Sequence, residues 1–256
     1  MATDGGQMSQ TVLRAISIVE FLAERPRTLG EVAERLGVHK STALRLLQTL
    51  ESTGFSRRQD DGRHAVGTRL IAIAQQTLES LDLRTAAGES LRRLHQMCGH
   101  TIHLAELVGR EIVYIDKVET QNAVRMYSRI GRPASPYASG VGKAVLAFLE
   151  ALARDELLQG VELTAHTSTT FSTRDALEDE LERIRQRGWA VDDGEFEDFV
   201  NCVAAPVWSS TGRVAGAVSI TSLKVIAPLP ELTMLVPALR ETADSISREL
   251  GWTGQR

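Results

Sequence analysis

Between residues 39 and 69 the chain carries side chains suited to reading nucleic acid. If Ala43, Leu46, Leu47 and Leu50 form the apolar face of a helix, a turn of about 100° per residue sets Ser41, Arg45 and Gln48 opposite. Arg pairs through two hydrogen bonds with guanine and Gln with adenine in a major groove, and Ser bonds either base. Lys40 and Thr42 flank that face and suit phosphates. Arg57, Arg58, Arg63 and His64 follow in a short basic stretch able to track a neighbouring backbone. The window holds six Lys/Arg against three Asp/Glu, whereas the whole chain has 29 against 33, a formal net charge of −4. Residues 1–80 carry ten basic against nine acidic groups and the remainder nineteen against twenty-four, so positive charge gathers where phosphate contacts need it. The same residues also describe the solvated face of a plain three-helix packing module.

A second group lies downstream. Ser139-Gly140-Val141-Gly142 opens a helix in which a serine N-cap and two glycines let a ligand approach backbone N–H groups at the positive end of the dipole. A carboxylate is the natural guest, although tight helix-on-sheet packing calls for the same glycines. This is no phosphate-binding P-loop, because Ala144 stands where Ser or Thr is required and the upstream Gly is missing. Ser219 and Thr221 fall on one face of a strand, with Val218 and Ile220 on the other. Hydroxyls on a covered face indicate a ligand or a bond to nearby backbone. Cys202 has no local His to act as its base and reads as a buried, unreactive thiol. His95, Cys98, His100 and His103 are of metal-binding type, but a helix end, a turn and opposite strand facings separate them, so no metal is expected. Two rival readings stay open. One is a small-molecule hydrolase or lyase using Cys202 and Asp192, its N-terminal helices an oligomerisation arm. The other is an architectural DNA-binding module whose C-terminal part only oligomerises.

The elements that position these groups follow from hydrophobic period. Val12, Ile16 and Val19 predict an amphipathic helix over 11–23. Arg25-Pro26-Arg27 breaks it, and Thr28-Leu29-Gly30-Glu31 is a capping box opening a short helix with Val32 and Leu36 apolar and a stop at Gly37. A third helix runs from about Lys40 to before Gly54. Phe55–Arg58 and His64–Val66, separated by a turn with Asp61-Gly62, predict a hairpin. That order is a winged helix-turn-helix, and Thr28 joins Lys40, Ser41, Thr42, Arg45, Gln48, Arg57, Arg58 and Arg63 as candidate DNA contacts. Leu70, Ala74 and Leu78 predict a linker helix over 68–81. Beyond it come helices at 84–98, 140–150, 153–159, 174–187 and 230–250. Strands are expected at 101–108, 111–118, 123–128, 189–193, 202–208 and 213–221. Hairpins mixed with helices on one sheet imply an α+β fold rather than a doubly wound one. The chain begins MATDGGQMSQ, without a basic-then-apolar leader, and no apolar run approaches a bilayer crossing. Two cysteines make no disulfide scaffold, so a cytoplasmic setting without membrane contact is expected.

The run Leu29–Leu50, including Glu31-Val32-Ala33-Glu34-Arg35-Leu36-Gly37 and Arg45-Leu46-Leu47, resembles the N-terminal domain of the IclR family of bacterial transcriptional regulators. The likeness continues through Asp61-Gly62-Arg63, Gly67-Thr68-Arg69-Leu70 and Ser139–Ala144. It is clearest at Arg187–Glu195 and Cys202–Val207, and Trp208-Ser209 departs from the family's usual Phe or Tyr followed by Asp or Asn. The resemblance implies a regulator, not an enzyme, with a disordered tail over 1–8 and a winged helix-turn-helix over 9–67. A linker helix over 68–81 would lead to a GAF-like α/β effector-binding domain over 82–256. It further implies an effector pocket formed by Gly140, Val141, Asp192, Val200, Cys202, Ser219 and Thr221, with Val124, Met126 and Ala134 as an apolar wall. Tyr137 is a further candidate for the pocket mouth, with helix packing the alternative. The expected partners are double-stranded operator DNA, a small organic acid effector and other copies of the chain. Those copies would form a homodimer through the N-terminal region and a homotetramer through the effector domains, with no cofactor.

Overall fold

The computed structural model describes residues 9–73, 82–119 and 128–254. The predicted tail, Val124, Met126, nearly all of the strand at 123–128 and the linker helix beyond residue 73 lie outside these segments. The chain divides into two compact units, Met1–Ser80 and Leu81–Arg256.

In the first unit α1 spans Gln10–Glu24, α2 Leu29–Leu36 and α3 Lys40–Ser52, followed by β1 (Ser56–Arg58) and β2 (His64–Val66). The capping box forms: the Thr28 hydroxyl accepts the Glu31 N–H while a Glu31 carboxylate oxygen accepts the Thr28 N–H at 2.8 Å. Those bonds hold the Glu31 carboxyl down at about 2. Gly37 ends α2 in the left-handed conformation, and the turn to α3 follows. Ile18, Leu22, Val32, Ala33, Ala43, Leu47 and Leu50 close the core. That corrects the expected face of α1 in part: Val19 packs against this core, but Val12 is 56 % and Ile16 50 % exposed, and Ile18 and Leu22 point inward instead. β1 and β2 pair antiparallel with Arg57 opposite Ala65, and Arg27 adds two backbone bonds to His64. His64 is therefore buried, not displayed on the wing's surface as expected, and burial lowers its pKa.

The second unit is built on a five-stranded antiparallel sheet in the order β4-β3-β7-β6-β5. The strands are β3 (Thr101–Val108), β4 (Glu111–Val118), β5 (Ala190–Asp193), β6 (Val200–Trp208) and β7 (Val214–Leu223). One face carries Ile102, Leu104, Val203, Val218 and Ile220 against α4 (Leu83–Cys98), α8 (Leu229–Met234) and α9 (Val236–Glu249). The other carries Ala105, Ala204 and Ala217 under α5 (Gly140–Leu146), α6 (Ala151–Leu158) and α7 (Arg174–Arg187). Small residues on that second face let α5 lie close to the strands. The single helix expected at 230–250 is two helices that meet at Leu235. Pro237 is the cause, since it has no N–H to donate and its ring clashes with the carbonyl four residues back.

Lys143 on α5 is 0 % exposed. Its ammonium pairs with the Glu195 carboxylate from the loop after β5 and lies 4.7 Å from the centre of the Phe171 ring. An ammonium so enclosed is tolerable only with such a partner. Replacing Glu195 with Ala leaves it uncompensated and is expected to cost about 3–5 kcal/mol in urea unfolding, whereas Lys143→Met with Glu195→Leu recovers most of that loss. A cost below about 1 kcal/mol for Glu195→Ala would show that the pair does not hold the unit together.

Candidate functional site

On the first unit the exposed side of α3 is set by its buried residues Ala43, Leu47 and Leu50. Lys40, Ser41, Arg45 and Gln48 are all exposed and Thr42 is half-buried, as the helical period requires. Leu44 shares this exposed side, an apolar group that the sequence reading did not single out. Arg57 and Arg58 project from β1 into solvent, while Arg63 lies 3.6 Å from Glu31 and 3.5 Å from Asp61. Thr28 is committed to the capping box, its hydroxyl donating to Glu31 at 2.9 Å. Thr42 and Arg45 also border an apolar groove of about 750 Å³ between α1 and α3, walled by Val12, Ile16, Val19 and Leu46.

On the second unit, strand register assembles a cavity. Asp192 pairs with Cys202 across β5 and β6, and Cys202 with Thr221 across β6 and β7. One row along, Ser219 faces His103 across β7 and β3. Directly opposed residues share a face, so these side chains line one wall. The start of α5 forms the facing wall, and together they enclose about 40 Å³. Of the candidate effector residues, Gly140, Val141, Asp192, Val200, Cys202, Ser219 and Thr221 line it, joined by His103, Tyr114, Ser128, Ser139, Phe196 and Glu197. Ala134 and Tyr137 do not. Ala134 is buried in the core beside α5, and the Tyr137 hydroxyl lies 3.1 Å from the Thr164 carbonyl and 3.0 Å from His166 Nε2, both in the loop between α6 and α7. Val124 and Met126 fall outside the described residues.

The groups in the cavity are electrically distinct. His103 Nε2 lies 2.8 Å from Ser128 Oγ and Nδ1 3.2 Å from Thr221 Oγ1. Burial, with Lys117 nearby, lowers its pKa to about 3, so the ring is neutral. The alternation that exposes Ser219 and Thr221 to the cavity would have found His103 too, two residues beyond Thr101 on β3. Asp192 Oδ1 accepts the Glu195 N–H at 2.7 Å. Burial raises the Asp192 carboxyl to about 6 against the pull of that N–H and of Lys143 and Lys224, with Asp193 adding to the rise. Burial and then Asp192 push the Cys202 thiol up to about 12, which leaves it protonated and a poor nucleophile. Threonines from the loop before α7 brace the far side, Thr167 donating to the Gly194 carbonyl at 2.6 Å and Thr170 to that of Glu195 at 2.5 Å.

Both glycines of the α5 opening are enforced by close approach. A Cβ on Gly140 would sit 2.7 Å from Cys202 Sγ, and one on Gly142 would collide with the Ser135 carbonyl. Ser139 caps the helix by accepting the Gly142 N–H at 3.0 Å. The N–H groups of Gly140 and Val141, in the first turn, have no intrahelical acceptor. Packing thus accounts for the glycines, while Gly140 and Val141 also line the cavity. Elsewhere His95 Nδ1 bonds the His100 carbonyl at 2.8 Å, and no cluster of three metal-ligating side chains occurs among the described residues.

Residues 11–60 match the IclR helix-turn-helix domain, and residues 75–248 match the bacterial transcriptional regulator IclR C-terminal domain. The chain is 35% identical over 246 residues to the HTH-type transcriptional regulator XynR of Escherichia coli K12, covering 95% of this chain and 98% of that one. It is 31% identical over 245 residues to the regulator KdgR of the same organism, covering 94% and 93%. The crystal structure of Thermotoga maritima IclR superposes with a TM-score of 0.64 at 33% identity, over 94% of this chain and 99% of that one.

The raised carboxyl of Asp192 carries a signed prediction. A folded-state pKa above the unfolded value stabilises the protein at low pH, and that benefit disappears as pH rises from about 4 through about 6. Asp192→Asn keeps an acceptor for the Glu195 N–H and removes the buried charge. At pH 7.5 it is expected to exceed the parent in stability by about 2–3 kcal/mol, the gap closing toward pH 4. Thermal denaturation of both proteins across that range is the check, and an equal gap at both ends would refute the assigned cause.

Proposed function

Because the chain belongs to the IclR family of bacterial transcriptional regulators, we propose that it acts in the cytoplasm as a regulator whose operator binding is modulated by a small carboxylate effector. The observation that carries the DNA half is the α3 surface. Ser41, Arg45 and Gln48 are presented for base edges, Lys40 and Thr42 for phosphates, with Arg57, Arg58 and Arg63 on the adjoining hairpin for the flanking backbone. Thr28, bound into its cap, contributes through the helix start rather than through a free hydroxyl.

The cavity supports the effector half. It is lined by polar groups set among apolar ones and bordered by Gly140 and Val141 at the start of α5, to whose first-turn N–H groups we assign the effector carboxylate. We assign no catalysis to it, since a thiol at about 12 is not an activated nucleophile. Val12, Leu13 and Ile16, exposed along α1 beside the apolar groove, favour a homodimer through the first unit, which would set two recognition helices on a two-fold operator. A tetramer through the second units is the further assembly we assign. An effector changes operator affinity only through unequal binding to two arrangements of the assembly.

Fluorescence anisotropy with duplex DNA flanking the protein's own gene, run across a salt series beside a scrambled duplex, tests this. Tight binding to the native duplex that weakens steeply with salt is expected, and Arg45→Ala should lose about 1–3 kcal/mol on that duplex. Equal affinity for both duplexes would remove the regulatory reading.

A further inference from the structure

We propose that Glu31 is a positioning residue for operator binding: its carboxylate holds the wing residue Arg63 against the start of α2, so that hairpin and helices meet the duplex as one surface. The inference rests on the reading of the first unit as a DNA-binding domain. It names a residue, outside the contacts assigned above, on which that binding depends.

A hairpin of two three-residue strands has little stability of its own and needs an anchor on the helices. Two neighbouring residues supply it. His64 is anchored by main chain: its N–H donates to the Arg27 carbonyl at 2.7 Å and its carbonyl accepts the Arg27 N–H at 2.8 Å. Arg27 is in turn fastened to α1, where its guanidinium donates to the Phe21 carbonyl at 3.2 Å, pairs with Glu24 and lies 3.8 Å from the centre of the Phe21 ring. The side chain of Arg63 is held differently, by charge. Its guanidinium sits between Asp61, 3.5 Å away in its own turn, and Glu31, 3.6 Å away on α2. Asp61 moves with the wing, so Glu31 is the group that relates this cation to the helices.

The carboxylate is built for that task. Glu31 Oε2 accepts the Thr28 N–H at 2.8 Å and the Thr28 hydroxyl at 2.9 Å, and Oε1 accepts the Arg25 guanidinium at 2.9 Å. Three hydrogen bonds fix it as a stationary charge rather than a swinging one. The Arg63 side chain is 41 % exposed, and among the described residues its guanidinium makes no hydrogen bond. The cation is therefore located by charge while its N–H groups remain open to a phosphate oxygen. An arginine ordered in advance loses less side-chain freedom on binding. This role has a signature that simple electrostatics lacks. An anion beside a phosphate-binding surface weakens contact with any duplex, so removing it for its charge alone would tighten binding to native and scrambled DNA alike. Removing a positioning group instead weakens the native duplex selectively, because only that complex has one fixed register.

Glu31→Gln is the variant that tests this, since Gln at the third helical position keeps the capping box and removes the charge. The full chain is titrated by fluorescence anisotropy against the native and scrambled duplexes, with thermal denaturation alongside. The ratio of native to scrambled affinity should fall about three- to tenfold, at a melting temperature within a few degrees of the parent's. In an Arg63→Ala background the same substitution should change the ratio no further, because the interaction it removes is already gone. Glu24→Gln removes an equal charge from the pair on α1 and leaves the surroundings of Arg63 intact. It should keep the parent's ratio. An unchanged ratio in Glu31→Gln, or an equal fall with and without Arg63, would overturn the proposal. So would a ratio that recovers on cooling in a variant that melts far below the parent, since Glu31 would then serve the fold alone. A parent chain that binds both duplexes equally is a separate outcome, in which the regulatory reading fails and this inference falls with it.

Discussion

The buried pair of Lys143 and Glu195 is the constraint on which the second unit depends. A lysine fully removed from water must meet a carboxylate, and the one it meets lies 52 residues further along the chain, in the loop after β5. Closing that contact ties α5, which lies over β6, to the loop at the end of β5. The same residue, Glu195, gives its N–H to Asp192, and its carbonyl receives Thr170. Helix start, loop and pocket carboxylate are thus located by groups that share one residue. The two walls of the cavity owe their spacing to a contact that does not itself line it.

Strand register supplies the second dimension. Alternation turns Val203, Val218 and Ile220 toward α4 and α9 and leaves Cys202, Ser219 and Thr221 facing α5. Since a slip of one residue would exchange these sets, the apolar packing on one face fixes which polar groups appear on the other. The cavity is therefore not a set of residues added to an indifferent scaffold. Its wall is the reverse side of a hydrophobic core.

Much of this was legible in the sequence where local rules decide. The capping box at Thr28 and Glu31, the left-handed stop at Gly37, the hairpin turn and the face shared by Ser219 and Thr221 need only neighbouring residues. What escaped depends on partners distant in the chain. His64 looked like a surface group of the wing until its backbone pairing with Arg27 buried it. The stripe Val12, Ile16 and Val19 obeyed the helical period, but so did the neighbouring stripe through Ile18 and Leu22, and tertiary packing chose the latter, keeping only Val19 of the former against the core. His103 was weighed among would-be metal ligands, and its true neighbours, Ser128 and Thr221, stand 25 and 118 residues away. The break at Leu235 was within reach of local reasoning, since Pro237 sits inside the helical pattern.

The approach of Gly140 to Cys202 has a bearing on how this pocket can change over generations. A Cβ at position 140 would come within 2.7 Å of the thiol sulfur, 3.4 Å of the Ala204 methyl and 3.6 Å of the Cys202 Cβ. The sulfur occupies the volume that a methyl at 140 would need, so the two positions share a single allotment of space. A lineage that acquires Ala at 140 must turn the thiol aside, shrink position 202 or push the helix off the sheet. Thiol and glycine should then change together, and the cysteine counts there for its size rather than for its reactivity.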